Sequence, residues 1–121
     1  MDGNASRRYR LRKRKDIERV FAQGRRVGDR ILTVFAVWTG LDRSRCGVGV
    51  SKRHGGAVRR NRIRRLCREA FRLSRDQLPV GWDYMIIPRV GDEPALAVLR
   101  SSVVAMAARL AEADDAGRPR T

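Results

Sequence analysis

Histidine and cysteine are scarce in this sequence of 121 residues, which contains only His54, Cys46 and Cys67. No Ser/His/Asp or Cys/His arrangement lies at a spacing typical of nucleophilic catalysis. The two cysteines form no CxxC motif, and together with one histidine they cannot supply the four ligands of a zinc site. We expect two reduced, structural thiols, and the sequence leaves any further role of Cys46 and Cys67 open.

Long apolar runs are also absent. No segment approaches the roughly 18 apolar residues of a membrane helix, and residues 1–10 lack the apolar core of a signal peptide. No basic amphipathic segment carries the Trp or Phe expected of an interfacial helix. These absences predict a cytoplasmic protein without a membrane partner.

Neighbouring carboxylates occur only as Asp92-Glu93 and Asp114-Asp115, in a predicted turn and a predicted tail. Two-metal hydrolysis needs acidic groups that converge from rigid elements, and no Walker-type phosphate loop is present either. We therefore expect neither a catalytic site nor a metal site in this chain.

The length allows one domain with one core. A hydrophobic content of 42% excludes a wholly disordered basic tail. We predict a flexible basic N-terminus at residues 1–8, a single domain at 9–112, and a flexible tail at 113–121, where Gly, Pro and mixed charges accumulate.

Positive charge is what the sequence has in excess. The formal net charge is +15, and residues 1–75 hold 23 Lys and Arg against 6 Asp and Glu. One side of the protein should therefore be strongly electropositive and should attract a polyanion. In the absence of membrane-binding features, this charge favours nucleic acid as the partner.

The excess is concentrated in residues 51–72, where Glu69 is the only acid. Residues 58–74 follow the periodicity of an amphipathic helix with one apolar stripe. The stripe comprises Ile63, Leu66, Cys67, Ala70 and Phe71, and the opposite side carries Asn61, Arg64, Arg65, Arg68 and Arg72. A merely solvated helix face usually alternates Glu with Lys or Arg, so this one-sided face indicates an anionic partner.

The rest of the pattern predicts further helices and strands. Residues 13–23 indicate a short helix ended by Gly24, and 94–113 indicate a helix that packs rather than binds. The predicted strands are 31–38, with two apolar faces, 46–51 and 82–87, with a short extra strand near 25–27.

The expected connections follow from this order. A hairpin turn at 40–45 would pair strands 31–38 and 46–51, and Gly47 and Gly49 would let a backbone or ligand approach one face. The strand, helix and strand across 46–87 predict parallel pairing by a crossover. We thus predict an α+β, two-layer α/β sandwich of order αββ(β)αβα.

The segment S-K-R-H-G-G-A-V-R-R-N-R-I-R-R-L-C-R-E-A-F-R, residues 51–72, resembles the signature of the bacterial ribonuclease P protein component. In that family a strand ending in S-K-K leads into G-x-A-V-x-R-N-R and then into a basic helix. R-L-R-K-R-K-D-I-E-R-V-F-A-Q-G resembles the opening helix of the family, and D-Y-M-I-I-P-R resembles its last strand. About three quarters of the chain is covered in the order of the family.

The resemblance implies a subunit of a ribonucleoprotein endonuclease. It implies assembly, expected to be 1:1, with a catalytic RNA that removes the 5′ leader of precursor tRNA and binds the Mg²⁺ used in hydrolysis. No DNA partner is implied. The implied fold is the ribosomal-S5-like sandwich with a left-handed βαβ crossover, a hand that the usual rule would not predict.

The resemblance also implies two RNA-binding sets. The set expected to hold the catalytic RNA is Lys52, Arg53, Arg59, Arg60, Asn61, Arg62, Arg64, Arg65 and Arg68. Guanidinium groups suit this role because they are permanently charged, bidentate donors. Asn61 adds a directional donor and acceptor, and its alternative role is capping at the helix start.

The set expected to line the leader-binding cleft is Arg12, Lys13, Arg14, Ile17, Phe21, Thr33 and Phe35. Single-stranded RNA requires stacking surfaces beside positive charge. For Phe21 and Phe35, plain core packing is an equally good interpretation of the sequence. Ile17 stands where the family commonly has Phe, which removes one stacking surface.

Other positions depart from the family pattern. Arg53 replaces Lys, His54 replaces an aliphatic residue, Gly56 replaces Lys or Asn, and Pro88 replaces Ala. Pro88 should end strand pairing early because proline lacks the backbone donor. The alternative function is a non-catalytic basic RNA-binding module, such as a ribosomal or assembly protein. Composition does not separate the two functions, and the order of the motifs favours the first.

Overall fold

The computed structural model describes residues 7–117 and has the element order αβββαβα. The elements are α1 (Arg14–Gln23), β1 (Arg25–Gly28), β2 (Leu32–Trp38), β3 (Arg45–Val48), α2 (Ala57–Ser74), β4 (Trp82–Pro88) and α3 (Leu96–Gly117). The predicted α+β class and the optional short strand are confirmed.

The predicted chain ends are only partly described. Residues 1–6 and 118–121 lie outside the described residues. Helix α3 continues to Gly117, so residues 113–117 of the predicted tail are helical, and the flexibility of that tail stays a prediction. Residues 111–116 read A-E-A-D-D-A, and their alanines favour helix continuation.

The four strands form one sheet in the order β1-β2-β4-β3. The predicted hairpin between β2 and β3 is wrong, because β4 lies between them. Strand β2 pairs with β4 over seven antiparallel positions, from Leu32 opposite Pro88 to Trp38 opposite Trp82. Strand β4 is buried along almost its whole length, so the central position removes the most apolar surface from water.

The predicted parallel pairing by a crossover is confirmed, and its left hand stays a prediction. Strand β3 pairs with β4 in parallel, and α2 connects them. The expectation that Pro88 ends pairing early is wrong: Pro88 lies opposite Leu32, and the next residue, Arg89, donates its backbone N–H to Ile31 O at 3.0 Å. Proline is tolerated there because the backbone donor that reaches β2 belongs to Arg89.

The main core lies between one face of the sheet and helices α2 and α3. Strand β2 contributes Leu32, Val34 and Ala36, as the alternation of side chains predicts. The helices contribute Ile63, Cys67, Ala70, Phe71, Leu99, Val103, Met106, Ala107 and Leu110. Burial of this stripe fixes the rotation of α2, so its arginines are directed away from the core.

Helix α1 covers the opposite face of the sheet, where Leu11, Val20 and Met85 form a second, small core. Both faces of β2 are therefore covered. A Cβ atom on Gly47 would lie 2.5 Å from Met85 Sδ. The close approach that this glycine allows is consequently filled by a protein side chain.

Gly24 ends α1 as predicted, but its backbone is extended, with φ −74°. A Cβ atom there would clash with the carbonyl oxygens of Val20 and Ala36. This glycine is required because β2 passes close by, and a left-handed turn plays no part.

The two cysteines are buried and free, which confirms the prediction of structural thiols. Burial raises the pKa of the Cys67 thiol to about 12 and raises the pKa of Cys46 further. Both sulfurs are consequently protonated and unreactive near neutral pH.

Candidate nucleic-acid interface

The outer face of α2 carries what we call the arginine ridge. Its members are Arg60, Asn61, Arg64, Arg65, Arg68 and Arg72. All six lie on one helix whose opposite side is anchored in the main core. The side chains therefore project from a rigid support, which a surface that contacts successive phosphates of a nucleic acid requires.

Some arginines of α2 are engaged by protein groups. Arg62 Nε lies 2.7 Å from Glu93 Oε1, and Arg72 donates two hydrogen bonds to Glu69, at 2.8 and 2.7 Å. Arg59 donates to the carbonyl oxygen of Gly91 at 2.6 Å. The charges of Arg62 and Arg72 are thus compensated within the protein.

Other arginines of the ridge have no such compensation. Within residues 7–112, Arg60, Arg65 and Arg68 form no ion pair, and the shielded Nε atoms of Arg60 and Arg68 have no hydrogen-bond partner. Burial lowers the pKa of the Arg68 guanidinium, and the charges of Arg10 and Arg64 lower it further. These donors remain available to an anion.

Asn61 lies in the second turn of α2, which begins at Ala57, so the capping alternative is wrong. Its Oδ1 accepts a hydrogen bond of 2.8 Å from Arg64 Nη1. This bond is between neutral and charged groups, so it orients Arg64 without removing its charge.

Lys52 and Arg53 lie in a 3₁₀ turn that leads into α2 and are exposed. The turn is fixed by buried His54. The backbone N–H of Ser51 donates to His54 Nδ1 at 3.0 Å, and His54 Nε2 donates to Pro88 O at 2.7 Å. A histidine thus fills an aliphatic position of the family with both ring nitrogens bonded.

The leader-binding cleft is predicted between α1 and the sheet, and we call the surface formed by its predicted residues the α1 cleft. The rings of Phe21 and Phe35 meet edge to face, with centroids 4.9 Å apart. Phe21 is 42% exposed, whereas Phe35 is half-buried and packs against the small core. The Arg26 guanidinium lies 5.9 Å from the centre of the Phe35 ring. Phe21 is therefore the more accessible stacking surface.

The other predicted cleft residues differ in exposure. Ile17 is half-buried and Thr33 is buried on the same face of β2 as Phe35. Arg12, Lys13 and Arg14 are exposed at the start of α1. Arg14 lies 3.3 Å from Glu18 of the next turn. Cations at a helix N-terminus oppose the helix dipole, so the position of Arg12 and Lys13 there is unfavourable unless an anion binds.

Sequence reasoning missed an ion-pair cluster at one end of the α1 cleft, formed by Asp16, Arg19, Arg45 and Asp83. Arg45 donates two hydrogen bonds to the fully buried Asp83, at 2.8 and 2.6 Å, and lies 3.4 Å from Asp16. Arg19 approaches Asp16 and Asp83, at 3.3 and 3.5 Å. The hydrogen bond to Asp83 raises the pKa of Arg45, which stays charged.

Sequence reasoning also missed a groove beside α2, here called the N-terminal groove, with a volume of ≈ 850 Å³. Its lining includes Tyr9, Arg10, Arg68 and Arg75. Arg75 lies seven residues, or about two helical turns, after Arg68, so a helical wheel extended past Ser74 could have placed it on the same side. Tyr9 and Arg10 are brought there only by tertiary pairing.

Membrane-spanning helices and metal-ligand clusters are both absent from the described part of the chain. None of its helices combines the length and apolarity needed to cross a bilayer. Between residues 7 and 112, no three His, Cys, Asp or Glu side chains are grouped as a metal site.

The chain is similar to known proteins in both sequence and structure. The sequence model of the Ribonuclease P family matches residues 5–111. The chain is 39% identical over 89 residues to the ribonuclease P protein component of Thermotoga petrophila, which covers 74% of this chain and 76% of that protein. It is 47% identical over 91 residues to the component of Roseiflexus castenholzii, covering 75% and 72%. The RNase P protein from Thermotoga maritima has a similar structure, with a TM-score of 0.75 at 30% identity over 83% of this chain and 96% of that one.

Proposed function

This chain belongs to the family of ribonuclease P protein components, and on that premise we propose how its two surfaces divide their work in the holoenzyme. The chain is a subunit of the endoribonuclease ribonuclease P and associates with the ribonuclease P RNA. In our proposal the arginine ridge, with Lys52 and Arg53, holds that catalytic RNA. The α1 cleft holds the 5′ leader of precursor tRNA.

The assignment of the ridge rests on one observation: Arg60, Arg65 and Arg68 project from a core-anchored helix without an acidic partner in the described chain. Like charges held together are stabilised when phosphates approach and counterions are released. Folded RNA presents phosphates at regular spacing, which suits donors on one rigid ridge.

The assignment of the cleft rests on the pairing of an exposed ring with nearby cations. Phe21 offers an accessible face beside Phe35, and Arg12, Lys13 and Arg14 lie at the start of the same helix. An unpaired base can stack on the ring while its phosphates meet the cations.

We further propose that the chemistry, with its Mg²⁺, takes place in the RNA. The acids nearest both surfaces support this view because they are engaged by arginine: Asp16 and Asp83 by Arg45, and Glu93 by Arg62. The protein then contributes binding and orientation. A 1:1 complex in the cytoplasm completes the proposal.

The test is reconstitution. The purified protein is mixed with the ribonuclease P RNA and precursor tRNA at low Mg²⁺, and 5′ leader release is timed. We expect faster cleavage than with RNA alone, and none with protein alone. Cleavage no faster than that of the RNA alone would refute the proposed role.

A further inference from the structure

The N-terminal groove brings cations from separate parts of the chain onto one surface. Six arginines line it, namely Arg10, Arg62, Arg65, Arg68, Arg72 and Arg75. Glu69 is the one acid in the lining, and it is already held by Arg72. The groove therefore has a large uncompensated positive charge.

Backbone pairing fixes the N-terminal wall of this groove. Cys46 N donates to Tyr9 O at 2.9 Å, and Leu11 N donates to Cys46 O at 2.9 Å, so residues 9–11 extend the sheet beside β3. Arg10 bridges with Cys46, whose side chain lies in the main core beneath α2. Partner residues in a sheet share a face, so Arg10 lies on the α2 side.

The C-terminal wall is fixed by a ring contact. The Arg75 guanidinium lies 3.6 Å from the centre of the Tyr9 ring. This cation–π contact joins the end of α2 to the N-terminal segment and keeps both walls in register. Both sides of the groove are thus preformed.

Arg10 and Arg68 both line the groove, and the one acid of the lining, Glu69, is paired with Arg72. The positive charge of Arg10 acts on Arg68, which is also desolvated, and neither forms an ion pair within residues 7–112. Two guanidinium groups in this arrangement repel each other, and an anion between them would reverse the sign of that interaction.

We propose that Arg10 and Arg68 hold one phosphate of the ribonuclease P RNA backbone between them, across the N-terminal groove. This inference rests on the proposed function of the ridge and deepens it, because it adds a residue outside α2 to the interface. The contact between Arg75 and Tyr9 holds the segment that carries Arg10 against the end of α2.

The N-terminal groove is connected to the α1 cleft by residues 10–12. Leu11, next to Arg10, packs in the small core under α1, and Arg12 follows at the start of the cleft. RNA bound in the groove would thereby anchor the segment that leads into the cleft.

The experiment compares Arg10→Gln with Arg8→Gln. Arg8 is two residues away and contacts exposed Asp42 at 3.5 Å, so the second variant removes the same charge from the same segment outside the groove. Affinity for the full-length ribonuclease P RNA is measured over a series of salt concentrations. We expect Arg10→Gln to weaken binding about fivefold or more and to lower the salt slope by about one, with Arg8→Gln within about twofold of wild type.

Arg68→Gln and the Arg10→Gln/Arg68→Gln double variant test the shared phosphate. If the phosphate is bound only when both guanidinium groups are present, each single variant loses about one unit of slope and the double variant loses no more than that in total. A loss of about two units would overturn the shared site. Arg10→Lys keeps the charge and should retain the slope.

The same series separates this inference from the proposed function. Wild-type binding by Arg10→Gln, together with weakened binding by Arg65→Ala, would overturn the groove and leave the ridge intact. Wild-type binding by both variants would overturn the ridge as well.

Discussion

On helix α2, Arg60, Arg65 and Arg68 have no acidic partner in the described chain, whereas at the end of the α1 cleft Arg45 is neutralised by Asp83 and Asp16. The residue type is the same on both surfaces. What differs is the partner: the guanidinium of Arg45 contacts a fully buried carboxylate, whereas Arg65 is exposed to solvent and Arg68 is partly buried without an acid beside it.

The difference shows that an arginine acquires its role from its partners. A buried cation needs a carboxylate because desolvation without one is costly, so Arg45 joins β3 to β4 and, through Asp16, to α1. Exposed Arg65 has no such need, whereas partly buried Arg68 lacks the carboxylate that Arg45 has, so an RNA phosphate would supply its missing partner. The ion-pair cluster therefore shapes one surface, and the ridge supplies the charge of the other.

The largest expected effect comes from breaking the ion-pair cluster. Asp83→Ala leaves Arg45 with only Asp16 and should lower the free energy of unfolding by about 3 kcal/mol, as measured by denaturant titration. Asp42→Ala is the control, since Asp42 is exposed, and should change it by about 0.5 kcal/mol or less. Equal losses in the two variants would remove the structural role assigned to the cluster.

A smaller and more selective effect is expected in the α1 cleft. Phe21→Ala and Phe35→Ala should weaken holoenzyme binding of leader-bearing precursor tRNA by about 1–2 kcal/mol, because a stacking surface is lost. Binding of mature tRNA should change little. Both substrates are measured by equilibrium titration.

Phe21→Leu is the matched control for packing, because it keeps an apolar side chain on α1 and removes the ring. It should lose affinity for leader-bearing precursor tRNA in the same way, while its binding of mature tRNA should change little. If leader-bearing and mature tRNA lose affinity equally in all three variants, the rings act only in core packing.

The smallest effect distinguishes two exposed arginines of α2. Arg65→Ala should lower the salt slope for ribonuclease P RNA by about one, whereas Arg62→Ala should lower it less, because Arg62 is held by Glu93. Conversely, Glu93→Gln should steepen the slope by releasing Arg62. Identical slopes for Arg62→Ala and Arg65→Ala would mean that the ion pair does not govern RNA binding.

Local pattern predicted the helices well. The apolar stripe of Ile63, Cys67 and Phe71 gave α2 to within one residue at its start, and the wheel placed Arg64 and Arg68 outward. Periodicity is a property of residues near each other in the sequence, so it can be recognised without knowledge of the rest of the chain.

Strand pairing was predicted less well, because the preference of β2 for β4 over β3 depends on which strand best fills the centre of the sheet. Residues 9–11 escaped notice for the same reason: nothing in their sequence specifies pairing with Cys46. The ion-pair cluster joins Asp16 and Arg19, an i,i+3 pair on α1, to residues 45 and 83, which no local spacing relates to them.

The sequence by itself determined the α+β class, the basic helix and the family, since each is written in composition, periodicity or an ordered motif. Tertiary structure alone decided which cations are neutralised. Arg45 and Arg68 look alike in the sequence, but folding places a buried carboxylate against one and another arginine near the other. Electrostatic energy depends on distance and burial in three dimensions, and these are set only when the chain is folded.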